Sequence, residues 1–330
     1  SATIANTHFL NQEIREFDAS LQNAADALDY FYLCEKLKLA CEILDRQRIF
    51  QGKYELHFEK AINEMWQGVS FSENPVIAQY YQIFKMLTES DASSYYLNLK
   101  KLFLQNDSNT TLVDKQKILS YGINYCVRQI RSSENKHYYG EEALSLYIYG
   151  VDKKILFSKG HLSPWHFKNM IKLGTSLKKY DWVETFIREN APFLEEQFRK
   201  NALHYNLADV YFQKNNFADA ISELHQTEFN DPSYAIGARE MLMRIYYETE
   251  EEESLISLIA SFTIYLKRNK ELSSDVRKAY LNFCKIMNQI LRRNPKSFEK
   301  IGETIKSTKL LTAKNWLLEI YEKEKKHVLK

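Results

Sequence analysis

Glycine and proline are scarce in this chain of 330 residues, with 9 and 5 occurrences. Both counts fall below average usage, so long stretches run without a residue that breaks a helix. The first glycine is Gly52 and the first proline is Pro75. Strand signals, meaning alternating β-branched residues bounded by glycine turns, are nearly absent as well. The 4 cysteines form no disulfide framework. Cys34 and Cys41 fall on one helix face about 10 Å apart along its axis, too far to bridge. Cys126 and Cys284 stand alone among apolar residues. All four read as small core residues, which points to a cytoplasmic protein. No apolar run is long enough to span a membrane, and the first 17 residues contain no signal-peptide core. The chain opens on SATIAN without Met, which reads as a trimmed or processed piece.

Chemistry motifs are missing too. There is no CxxC pair, no HExxH, no GxSxG and no phosphate-cradling glycine loop. The 8 histidines are scattered, and His161 and His166, which flank Pro164, have no cysteine or carboxylate at ligand spacing. The pairs Glu141-Glu142 and Glu195-Glu196 sit at expected helix starts, where carboxylates complement the helix dipole. No catalytic residue, metal or cofactor is therefore expected. With 45 basic and 43 acidic residues the net charge is +2, so no global basic field exists to hold nucleic acid. The local clusters Lys267-Arg268-Lys270 and Arg292-Arg293-Lys296-Lys300 lie toward helix C-termini, where cations are favoured. The tail from Lys323 and the run Glu250 to Glu253 read as solvated segments.

What is present is a succession of helical segments. Four prolines follow a capping residue, in Asn74-Pro75, Ser163-Pro164, Asp231-Pro232 and Asn294-Pro295. Proline at the first helical position loses no hydrogen bond, and the residue before it accepts one from the helix start. The pattern predicts helices over 19–48, 54–68, 75–88, 92–105, 114–131, 138–157, 163–178, 181–190, 193–214, 217–228, 233–249, 252–269, 273–293, 296–307 and 309–327. The first carries an apolar stripe of Leu33, Leu37, Ala40 and Leu44. Short polar joints favour antiparallel neighbours, giving one continuous array over 1–330 with a possible joint near 105–113.

The segment Asn201–Pro232 has Leu207 and Ala208, Tyr211, Phe217, Ala220, Leu224 and Pro232 at the spacing of a 34-residue helix–turn–helix unit. It departs from that unit with His204 and Thr227 at two apolar or small places. The pattern resembles the tetratricopeptide repeat. A second copy over 236–269 sets Tyr246 in register with Tyr211, preceded by Leu242 and Met243 and followed by Leu255 and Ile259. A further pair of helices over Pro164–Asn190 carries Gly174, Tyr180, Trp182 and Phe186. The resemblance implies an all-α fold of antiparallel hairpins stacked in a right-handed solenoid.

It also implies a ligand groove lined by the first helix of each pair. Carried over, those places hold Ala202, Tyr205, Asp209, Phe212 and Gln213 in the first repeat, and Gly237, Glu240, Arg244, Tyr247 and Glu248 in the second. Some members clamp a peptide carboxylate with Lys and Asn where this chain has Tyr205 with Asp209 and Glu240 with Arg244, so that clamp is not expected. The chain is rich in aromatics, with 22 Tyr, 19 Phe and 4 Trp, many in doublets such as Tyr80-Tyr81, Tyr95-Tyr96, Tyr138-Tyr139 and Tyr246-Tyr247. Successive helical residues point about 100° apart, so one ring of a doublet can fill the core while the other faces a groove. The expected function is a noncatalytic scaffold or adaptor holding a protein or peptide partner. The alternatives are a structural or self-assembling subunit of a larger complex, and a helical enzyme or small-molecule sensor.

Overall fold

The structure, a computed structural model, describes residues 19–50, 53–57, 59–68, 74–105, 110–227 and 232–328. The start of the chain, residues 106–109 of the expected joint near 105–113 and the capping residue Asp231 lie outside the described residues. Fifteen α-helices make up almost all of the described chain. In order they are α1 Ala19–Phe50, α2 Glu59–Gly68, α3 Pro75–Thr88, α4 Ser93–Gln105, α5 Leu112–Ser132, α6 Lys136–Asp152, α7 Pro164–Ser176 and α8 Tyr180–Asn190. There follow α9 Glu196–Gln213, α10 Phe217–Gln226, α11 Pro232–Glu248, α12 Glu252–Arg268, α13 Ser274–Leu291, α14 Pro295–Ser307 and α15 Lys314–Val328. The fold class is all-α, as the sequence predicts. Four helices open on the prolines singled out above, and the Asn74 and Asn294 side chains accept hydrogen bonds from Val76 and Lys296 N–H at 3.1 Å each.

The chain divides into two compact units, Ser1–Leu173 and Gly174–Lys330. In the first unit α3 packs against α1 and α4, and α5 packs against α6. Leu33, Leu37, Ala40 and Cys41 of α1 are buried with Ile77, Tyr80, Ile83 and Phe84 of α3. Two buried polar knots join these helices. The Tyr80 hydroxyl donates to Asp114 at 3.0 Å while Lys38 lies 3.2 Å from the same carboxylate. Tyr96 donates to Glu142 at 2.6 Å, and Lys100 reaches both its oxygens. In the doublets Tyr80-Tyr81, Tyr95-Tyr96 and Tyr246-Tyr247 one ring is buried and its neighbour half-buried, as the 100° step requires.

Four turns in the second unit share one geometry. Lys178, Asn215, Glu250 and Arg293 each stand two residues past a helix end, with φ of 59°, 57°, 59° and 46°. That left-handed conformation closes a helix C-terminus. In the first three turns the next residue's N–H bonds the carbonyl five residues back: Lys179 to Gly174, Asn216 to Tyr211 and Glu251 to Tyr246, at 2.9, 2.9 and 2.8 Å. Five residues past each left-handed position comes a buried side chain, namely Val183, Ala220, Leu255 and Phe298. Nine residues past it come Ile187, Leu224, Ile259 and Gly302, all buried. The two segments that carry the repeat pattern therefore have flanking neighbours with the same turn.

The structure departs from the predicted element ends by five residues in three places. Helix α6 stops at Asp152, five residues early, because Lys154 takes a left-handed φ of 55°. A short antiparallel hairpin follows, β1 Phe157–Ser158 and β2 His161–Leu162, around Lys159 and Gly160 with φ of 50° and 82°. Positive φ at both central residues is the tight hairpin turn whose usual signal is Asn-Gly, so Lys-Gly concealed it. Helix α2 begins at Glu59, where the carboxylate complements the first turn. Helix α15 begins at Lys314, after left-handed Ala313, and Lys314 Nζ donates to the Lys306 carbonyl at the end of α14 at 2.7 Å.

Candidate functional site

Helices α9 and α11 carry the face that the repeat resemblance marks, and they pack against each other in the second unit. Spacings of three and four residues put Tyr205, Asp209 and Phe212 on one side of α9, and Glu240, Arg244 and Tyr247 on one side of α11. Gly237 sets the approach. A β-carbon there would stand 2.5 Å from the Tyr205 hydroxyl oxygen, so the absence of a side chain lets Tyr205 lie against the α11 backbone. The Tyr205 ring also meets Tyr234 edge to face at 5.3 Å.

The charged residues of this face converge on Arg244. Its guanidinium carbon sits 4.4 Å from the Phe212 ring centre and 5.3 Å from that of Trp316, positions in which the ring quadrupoles attract a cation. Glu240 Oε1 lies 3.5 Å from Arg244 Nη1, and Arg244 Nε is buried without a hydrogen-bond partner. Burial pushes the carboxyl of Glu240 up from its ordinary value, against the charge and hydrogen bond of Arg244. Burial likewise pushes Asp209 up, against a hydrogen bond with Gln213 and the Arg244 charge. The hydroxyls of Tyr205 and Tyr280 are raised by burial as well, with Glu240 adding to both. Two carboxylates thus face one guanidinium in an enclosed, aromatic-walled cluster.

Helix α15 supplies the rest of the wall. Trp316 meets the Tyr247 ring edge to face at 5.5 Å and donates its indole N–H to Glu248 at 3.0 Å. Further along α15, Glu324 accepts from the Tyr247 hydroxyl at 2.9 Å and from Arg293 Nε at 2.9 Å. Arg293 also reaches Glu252 at 3.0 Å. Two open clefts result. One, of about 480 Å³, is lined by Gln213, Arg244, Lys314, Asn315, Trp316 and Glu319 among others. The other, of about 460 Å³, is lined by Tyr246, Tyr247, Arg293, Lys323, Glu324 and His327 among others.

Of the predicted face, Ala202, Phe212, Gly237, Glu240 and Tyr247 are buried, Tyr205, Asp209 and Arg244 are half-buried, and Gln213 and Glu248 are exposed. The face is therefore largely covered, and Gln213 and Glu248 are its exposed residues. Sequence reasoning missed Trp316, Lys314, Glu324, Arg293 and Tyr280, which complete the site. They come from α13, its following turn and α15, outside the two readable repeats. The only signal was Trp316, a lone tryptophan in a charged C-terminal helix.

Comparison with protein-family models, with curated proteins and with solved structures gives no match. Among the described residues no group of three or more His, Cys, Asp or Glu is placed to hold a metal ion. No described helix is long and apolar enough to cross a membrane.

Proposed function

We propose that this chain is a noncatalytic interaction scaffold that holds a peptide or protein partner along the face of α9 and α11. The observation that carries this reading is the pair of clefts that α15 helps to form, one lined by Tyr247 and the other by Arg244 and Trp316, which offer aromatic rings, cations and carboxylates side by side. Such mixed surfaces suit a partner segment bearing both apolar and charged groups. The left-handed turn repeated at Lys178, Asn215, Glu250 and Arg293 supports a tetratricopeptide-like right-handed stack as the frame. A frame of that kind holds its side chains in place before binding, so little ordering entropy is spent on the scaffold side. Four free cysteines, three of them buried, agree with a cytoplasmic setting.

A photo-crosslinking residue at Asn315 captures the partner, which is then purified and titrated against the chain. The reading expects Lys314→Glu with Glu319→Lys to weaken binding at least about tenfold, or about 1.4 kcal/mol, with Trp165→Ala in the first unit as the neutral control. Equal affinity for all three proteins would remove the cleft from the interface.

A second reading, a small-molecule sensor, is favoured by the enclosed cluster of Asp209, Glu240 and Arg244 beside the cleft lined by Arg244 and Trp316. A carboxylic-acid ligand series that raises the melting temperature of the wild type but not of Arg244→Met would support it. A series without effect on either protein would dismiss it.

A further inference from the structure

Helix α1 has two apolar faces. Leu33, Leu37, Ala40 and Cys41 are fully buried and face the first unit. Leu21, Leu28, Tyr32 and Leu39, with Phe31 beside them, are between 42% and 67% exposed. On a helix these residues, with Ala25 and Glu35, fall on an arc centred about 145° from the buried stripe. From Ala19 to Tyr32 the helix contains no buried residue. A helical segment of that length owes most of its stability to packing of an apolar face, so this one is built to be covered.

The occupant is written in the spacing. Leu21, Ala25, Leu28, Tyr32, Glu35 and Leu39 follow one another at intervals of 4, 3, 4, 3 and 4 residues, the seam of a two-helix coil. That series reads the same from either end, with its centre at Tyr30. A second copy laid antiparallel then sets Leu21 against Leu39, Leu28 against Tyr32 and Ala25 against Glu35, with every layer occurring twice. Such self-complementarity is what a two-fold interface requires. The small Ala25 leaves the Glu35 carboxylate room to reach water, and that charge already lies 3.3 Å from Lys38 of its own helix. Asp26 and Asp29 lie off the arc, so no like charges are forced together. The covered area comes to roughly 500 Å² per copy and 1,000 Å² in the pair, which reaches the lower range of specific interfaces.

We infer that the chain self-associates through an antiparallel pairing of the exposed face of α1 in two copies. This surface is in the first unit and is independent of the clefts of the second. Sedimentation equilibrium of the full chain from about 1 to about 200 µM covers the affinities that an interface of this size reaches. The wild type is expected to reach the mass of a dimer within that range, and Leu28→Glu with Tyr32→Glu is expected to remain a monomer. Both positions are exposed in the single chain, so at concentrations where the wild type is monomeric the circular dichroism and melting temperature of the variant match it. Register is read from two further variants. Leu28→Lys with Tyr32→Glu sets Lys against Glu in the antiparallel layer and dimerises at least about tenfold more tightly than Leu28→Lys with Tyr32→Lys. A wild type that stays monomeric throughout, or a dimer that survives in Leu28→Glu with Tyr32→Glu, overturns the proposal. Equal affinities for the two Lys variants overturn the antiparallel register.

Discussion

The Tyr205 hydroxyl occupies the space where a side chain at Gly237 would begin. A β-carbon at that position would lie 2.5 Å from the oxygen and 3.0 Å from the ring carbon bearing it. Gly237→Ala therefore has to push the ring of Tyr205 away from α11, and overpacking of this kind costs about 1–3 kcal/mol. The loss is expected in the urea midpoint of Gly237→Ala. Adding Tyr205→Phe removes the closest atom and restores part of it, so the two substitutions are non-additive. Additive effects would mean that the two residues do not compete for this space.

The four matching turns give a graded expectation. A non-glycine residue in the left-handed region pays about 1–2 kcal/mol, whereas asparagine enters it more readily. Lys178→Gly and Glu250→Gly should each stabilise the chain by about 0.5–1 kcal/mol, after the extra unfolded-state entropy of glycine is subtracted. Asn215→Gly should change it little. Arg293→Gly should destabilise, because it also removes the contacts to Glu252 and Glu324. Thermal melts of the four variants check the order, and a stabilising Arg293→Gly would contradict it.

Helix positions were legible because the chain contains so few breakers that each one carries information. Pro75, Pro164, Pro232 and Pro295 mark helix starts in the sequence and in the structure alike. The hairpin at Lys159-Gly160 was not legible, since its turn uses a lysine where asparagine is the usual sign. Exposure of the marked face was not legible either. Tyr247 and Glu240 stand where a repeat would present them, yet Trp316 and Glu324 lie against Tyr247 from a helix about seventy residues further on. Spacing within a repeat reports which residues share a face, and says nothing of what a distant helix lays over it. The apolar back of α1 went unremarked for a related reason. Most of its residues, Leu21 to Tyr32, precede the first buried residue, Leu33, and spacing alone does not say which of two apolar arcs packs inward.

The pH dependence of stability should carry the signature of Asp209. Burial raises its carboxyl above the ordinary value, so between about pH 4 and its folded value the native chain binds a proton that the unfolded chain has lost. Stability supplied by that proton is present at low pH and is lost as pH rises through the folded value. Asp209→Asn keeps the shape and removes the titration, leaving the Glu240–Arg244 pair in place. Urea midpoints taken upward from about pH 4 should therefore fall less steeply in the variant, which should be the more stable protein above the folded value. An identical slope in both proteins would show that Asp209 ionises in the folded chain as it does in water.

Glu324 behaves in the opposite sense and ties down α15. Burial pushes its carboxyl up, but hydrogen bonds from Arg293 and Tyr247, with the charges of Arg293 and His327, together outweigh burial and hold it below the ordinary range. A depressed folded value means that the contact stabilises the chain above about pH 4.3 and is lost as pH falls through the folded value. Tyr247→Phe keeps the ring against Trp316 and removes one donor, at a cost of about 1.5–3 kcal/mol for a bond to a charged acceptor. Arg293→Ala removes the other donor. Amide exchange at pH 7 should show Trp316–Val328 losing protection in both variants while Phe283–Ile290 of α13 keeps theirs. Taking the wild type to pH 4 should begin to reproduce the same pattern. If α15 exchanges at the wild-type rate in both variants, the packing of Trp316, Leu317, Ile320 and Tyr321 holds it without the Glu324 contacts, and Trp316→Ala becomes the substitution that uncovers Tyr247.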